Sequence, residues 1–344
     1  MEKKFELTEE TIVLYGHTLY RIKALKKFGN VKKGDLGGFI EKEDNLSQDG
    51  DCWIYDNAKV YDNALVSDNA RVFDDAIVHG NAKVYHDAWV YQEAQVFDNA
   101  EVYGDARVSY KSIIHDNAKV YGNARVFGYA EVYGNAQVYG NANVYGEARV
   151  FGNARLLGTP TISGDAKVFD DACVYERAKV FDDACVYERA KVYGDALVCH
   201  NAVVCGKTMV YGNAKVYDVA KVFGNAHVFG NAEVFGIVQV FGDAQVYDNA
   251  KLYGDAQIYG NAIVHGNTEI SGNAKVQSLN DYMVFHNNWS SGRYFTWTKS
   301  NNMWRVGCFY GTGKQLIEKA YKDSEESGKK YETTVNYSKN INSI

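Results

Sequence analysis

The chain has 344 residues, a formal net charge of −6 and one Pro against 32 Gly. That length allows more than one domain, and the mild acidity gives no support for a large nucleic-acid footprint. No hydrophobic run approaches a membrane span, and Met1-Glu2-Lys3-Lys4-Phe5-Glu6 lacks the apolar core of a signal peptide, so a cytoplasmic protein is expected.

Residues 1–51 precede any repeat and are expected to form an N-terminal capping segment. Thr11 to Leu25 alternates apolar and polar residues around Gly16-His17, which predicts a hairpin. A hairpin here can cover the first unpaired strand edge of whatever follows.

Residues 52–277 are one repeat. From Ile54 to Val276 every sixth residue is Val, Ile or Leu without exception, and most fifth positions of the unit, such as Ala142, are Ala. Ala142 and Val144 are two apart and so share one strand face, while Asn143 and Tyr145 point the other way. Positions three and four, such as Gly140-Asn141, are residue types that accept positive φ and turn the chain. Three six-residue sides close a triangle of 18 residues, and stacking the sides as parallel strands predicts an all-β solenoid of 12 to 13 coils, roughly 60 Å long at about 4.8 Å per coil. Pro160, which lacks a ladder donor, and Leu157, in place of an aromatic, mark a local seam. Val168 to Lys179 recurs identically from Val180 to Lys191. Twelve is not a multiple of 18, so such a duplication rotates downstream columns onto another side and makes the midsection a spacer.

The unit Val-x-Gly-Asn-Ala-x resembles the hexapeptide repeat of left-handed parallel β-helix proteins, known best among bacterial acyltransferases. The left hand is implied by the resemblance alone, since parallel crossovers are ordinarily right-handed and nothing in the spacing overrides that rule. The chain departs from that pattern at position two, which holds Tyr or Phe in 27 of 38 units. With Lys33-Gly34-Asp35-Leu36-Gly37-Gly38-Phe39-Ile40 and Glu43-Asp44-Asn45-Leu46-Ser47 ahead of it, this aromatic-rich version is similar to uncharacterised phage and prophage β-helix proteins.

From about Ser278 the repeat stops, and 278–344 is expected to be a small α+β cap or binding domain. Strands are expected around Asp281 to His286, Arg293 to Lys299 and Met303 to Tyr310, followed by a helix that Thr312-Gly313-Lys314-Gln315 caps.

The hexapeptide acyltransferases place a catalytic His on a loop or coil edge and bind acyl-CoA between subunits. Here no loop interrupts the hexads, and the His residues have no carboxylate or Ser partner implied by spacing. The chain is therefore expected to be non-enzymatic, with no catalytic residue, metal or cofactor; a transferase acting at an intersubunit groove is the alternative. Cys173 and Cys185 are 12 apart and fall on different sides, which disfavours a disulfide or metal pair.

The outer columns are richer. Residues 18 apart lie above one another, giving an aromatic ladder through Tyr85, Tyr103, Tyr121 and Tyr139, and a mixed column of Trp53, Arg71, Trp89, Arg107 and Arg125. Trp, Arg and Tyr dominate interface hot spots, and two indoles flanking Arg71 suit cation–π stacking. These nine residues are the candidate binding residues. The expected function is a rigid scaffold or binding protein for a protein partner, in a phage setting a host protein that it inhibits, with self-association into a dimer or trimer through an outer face.

Overall fold

A computed structural model describes residues 2–342. The chain divides into two compact units, Met1–Arg189 and Ala190–Ile344.

The first unit opens with β1 (Phe5–Leu14) and β2 (His17–Ala24), antiparallel around a turn at Tyr15-Gly16. The hairpin thus begins earlier than the alternation from Thr11 suggests, because Phe5 is fully buried and anchors its start. β3 (Leu36–Ile40) pairs antiparallel with β2 and then parallel with Lys59–Val60, converting the hairpin sheet into one side of the coils. From Trp53 onward two-residue strands recur every six residues, and each pairs with the strand 18 residues away, as in Arg107↔Arg125 and Val108↔Val126.

The inside-outside assignment follows the period. Val120 and Val138 are fully buried, as are Ala118 and Ala136, whereas Tyr121 and Tyr139 lie half-buried outside. Each coil is held by parallel ladder bonds such as Arg107 N–H to the Ala124 carbonyl (2.9 Å). The corners carry positive φ, at Gly where the residue is Gly and at 53 to 60° where it is Asp, Gln, Glu, His or Tyr. Asp at a corner offsets that strain by accepting the amide one coil above, as Asp116 Oδ2 does from Gly134 N–H (2.9 Å). Next to them Asn63, Asn81, Asn99, Asn117, Asn135 and Asn153 form a side-chain amide ladder at 3.1 to 3.3 Å. Around the seam, Arg155–Gly158 and Cys173–Glu176 are longer, four-residue strands paired with each other.

In the second unit, two-residue strands recur every six residues from Lys191–Val192 to Lys275–Val276. Four antiparallel strands follow, β4 (Tyr282–His286), β5 (Tyr294–Thr298), β6 (Met303–Val306) and β7 (Phe309–Thr312), then α1 (Gly313–Asp323) and α2 (Glu325–Asn342). The single strand expected over Met303 to Tyr310 is a tight hairpin, and the expected helix is two. Thr312 does cap α1, accepting from Gln315 N–H while Gln315 reaches back. Phe295, Trp297, Trp304, Leu316 and Val335 form the small core of this domain. It sits on the last coil through Thr296 Oγ1, which accepts from Glu269 N–H (3.1 Å), and Tyr282 OH, which donates to the Ile263 carbonyl (2.9 Å). Among the described residues no helix is long and apolar enough to cross a membrane.

Candidate functional site

The mixed column lies where the 18-residue period puts it. Trp53 pairs with Arg71, Arg71 with Trp89, Trp89 with Arg107 and Arg107 with Arg125 in one parallel ladder of the first unit. All five are outward positions, yet they meet different surroundings.

Trp53 is not available to a partner. It is 1% exposed, covered edge-on by Phe5 and Phe28, and β3 passes so close that a Cβ on Gly37 would meet Trp53 Cζ2 at 2.7 Å. The N-terminal cap therefore takes this indole as its anchor. Expected pairing of two indoles around Arg71 is replaced by the converse: Arg71 and Arg107 lie over the ring of Trp89 at 5.4 and 4.8 Å. Beside them Phe73 stacks on Tyr91 at 4.8 Å, and Asn30, Tyr55, Asp56, Arg71, Phe73 and Trp89 line a shallow hollow of about 270 Å³. Burial, partly countered by the Arg71 charge, pushes the Tyr55 hydroxyl up, so it stays a neutral hydrogen-bonding group there.

Arg107 and Arg125 are exposed and directly adjacent, and among the described residues neither forms an ion pair with a carboxylate. Three and four residues after them the chain turns the corner, where Tyr110 and Tyr129 stand 56% and 60% exposed with Lys111 Nζ 5.7 Å from the Tyr129 ring. Tyr110 holds positive φ (58°), and Gln92 Oε1 accepts its N–H at 2.9 Å. These three residues share their corner with Asp74, Asp75 and Glu93, with Lys111 Nζ 3.7 Å from Glu93, and sequence reasoning missed them. Their signal was available: Tyr is out of place at turn positions that mostly hold Gly, Asp or Asn.

The Tyr ladder is a different object. Tyr85, Tyr103, Tyr121 and Tyr139 stack at 4.8 Å with planes within 8° of parallel. Their faces are consumed by one another, and Tyr85 OH donates to Glu101 (2.9 Å). Burial and that carboxylate hold the Tyr85 hydroxyl well above its usual range. Only ring edges meet solvent, so the ladder contributes stacking first.

The YdcK beta solenoid repeat model matches four segments, residues 64–80, 118–134, 190–206 and 256–268. The repeat is a β-solenoid repeat of the hexapeptide kind. Among solved structures the chain is similar to UDP-N-acetylglucosamine O-acyltransferase (LpxA) from Moraxella catarrhalis RH4, at 14% identity and TM-score 0.20 over 79% of this chain and 93% of that one. No curated protein matches. Neither match carries a phage origin. The expectation of a non-enzymatic chain does not stand, because the matching structure is an acyltransferase. Fold alone assigns no activity to this chain.

Proposed function

We propose that the chain is a rigid binding protein that engages an acidic protein surface through the Arg–Trp face of its first unit. The observation that supports this reading is the pair Arg107 and Arg125: two exposed Arg on neighbouring strands, without a carboxylate partner among the described residues, the first of them lying over the Trp89 indole. Like charges so placed repel, and a partner carboxylate relieves that repulsion while pairing bidentately. Trp89 adds apolar area beside Arg71 and Arg107, the combination typical of hot spots. The short coil strands are fixed by ladder bonds on both sides, so the face is ordered before binding and little side-chain entropy is lost.

The test is affinity capture from bacterial lysate with the native chain and with Arg107→Glu/Arg125→Glu, alongside thermal unfolding and light scattering. The proposal expects a captured protein that the double variant loses, at nearly unchanged melting temperature. Equal capture by both chains contradicts it, and so does loss that comes with unfolding of the variant. If the lost species is a second copy of this chain, the face is a self-association surface instead.

A further inference from the structure

Where the tip of the β1–β2 hairpin meets the first coil, three side chains from distant parts of the sequence converge: His17, Glu41 and Asp62. Glu41 Oε1 lies 2.9 Å from His17 Nδ1, and its other oxygen accepts Asp62 N–H at 2.7 Å. Asp62 Oδ2 accepts Gly80 N–H at 3.1 Å. Both carboxylates are therefore fixed by backbone amides. What remains is Asp62 Oδ1, which accepts no hydrogen bond among the described residues, facing His17 Nε2 at 3.6 Å.

A carboxylate only accepts, so Nδ1 carries the hydrogen shared with Glu41, and whenever the ring is neutral its Nε2 lone pair faces Asp62 Oδ1. Two lone pairs face each other across a gap too long for a normal hydrogen bond. Something positive belongs between them. We propose that His17 Nε2 and Asp62 Oδ1 are ligands of a divalent transition ion, zinc foremost, with Glu41 as the partner that orients the imidazole.

The geometry supports an ion over a plain contact. Ligand atoms about 2.1 Å from one ion and 3.6 Å apart subtend roughly 120° at it, within the range of a four-coordinate site. Glu41 on Nδ1 reproduces the carboxylate–histidine–metal relay, which fixes the tautomer and raises imidazole basicity. With Glu41 held on Nδ1 and on the Asp62 amide, water completes the shell beside His17 Nε2 and Asp62 Oδ1. His79 is a neighbour and not a ligand: its Nδ1 is 3.8 Å from Asp62 Oδ2, and it and His17 lie against Tyr61 at centroid distances of 4.8 and 4.9 Å. The imidazole–carboxylate set suits a borderline ion better than calcium or magnesium. Its consequence is mechanical, since an ion here ties the hairpin tip to the first coil.

The experiment titrates Zn²⁺ into the metal-free full-length chain by calorimetry, with thermal unfolding at each endpoint, for the native chain and for His17→Ala, Asp62→Asn and Glu41→Gln. One zinc per chain is expected, with a raised melting temperature. His17→Ala and the isosteric Asp62→Asn should each weaken binding by at least about tenfold, and Glu41→Gln by a factor of about 10 to 100 as an orienting partner. Absence of binding to the native chain overturns the site and leaves a proton on Nε2 as the charge between the two groups. Zinc binding of equal strength in the His17 and Asp62 variants also overturns it, placing the ion elsewhere.

Discussion

Trp89 carries a guanidinium on each ring face, so its removal measures what the column gives the fold apart from any partner. Each partly exposed cation–π contact is worth about 0.5 to 1 kcal/mol, and Trp89→Ala is expected to cost about 1 to 2 kcal/mol from these contacts by urea unfolding. Arg71→Glu removes one such contact and should cost less than Trp89→Ala in the same assay. Arg107→Glu removes the other contact but places a carboxylate beside Arg125, which offsets part of the loss, so its stability should stay within about 1 kcal/mol of native. A titration prediction belongs at this scale too. Glu233 lies between Lys215 (3.1 Å) and Lys251 (3.4 Å). Burial pushes its carboxyl up, but the Lys215 hydrogen bond and the two ammonium charges outweigh that and hold it below the usual range. A carboxyl lowered in the folded state contributes stability that is complete above its unfolded value and is lost as pH falls through the folded one. Glu233→Gln should therefore lower the melting temperature near neutrality, where that contribution is complete, and converge with the native chain at acid pH, flattening the acid limb.

Corners and caps decide stability at the level of elements. Gly134 has φ 68° and sits directly over Asp116, and a Cβ there would meet Gly152 N at 2.9 Å. Ala at 134 keeps the strain with no compensation, at about 1 to 2 kcal/mol. Asp at 134 can accept Gly152 N–H as Asp116 accepts Gly134 N–H, so Gly134→Asp should be less destabilising than Gly134→Ala by about 1 kcal/mol in chemical denaturation. The N-terminal cap depends on Trp53, and Trp53→Ala should cost about 3 to 5 kcal/mol and open the first coil to proteolysis. This residue also shows what a sequence can and cannot tell. The alternation of Val and Ala with outward residues reads burial directly, because a two-residue period and a six-residue turn leave one face no choice. It does not read what lies over an outward residue. Trp53 and Trp89 hold equivalent positions, and only the return of Phe5, Phe28 and β3 from earlier in the chain buries one and spares the other. His17, Glu41 and Asp62 escaped notice for the same reason, being far apart in sequence and joined by the hairpin fold. Tyr110 and Tyr129 were legible as departures from the corner pattern.

At the scale of the molecule, each unit ends in a cap of its own kind. Removing residues 278–344 should expose the Lys275–Val276 strand edge and the neighbouring last-coil edges, and light scattering should then show concentration-dependent growth that the full chain lacks. The Arg–Trp column, the Tyr ladder and the corner bonds all depend on one relation, that residues 18 apart are neighbours on a common outer face. The direct measurement is disulfide formation between Arg107→Cys and Arg125→Cys under mild oxidation, read by peptide mapping so that native cysteines are distinguished, with Arg107→Cys and Lys119→Cys, 12 residues apart, as the comparison. Neighbouring parallel strands set Cα atoms about 4.8 Å apart, inside the range a disulfide spans. An intrachain 107–125 disulfide with no 107–119 disulfide is the result expected; a 107–119 disulfide in preference to 107–125 would contradict the register and every column built on it.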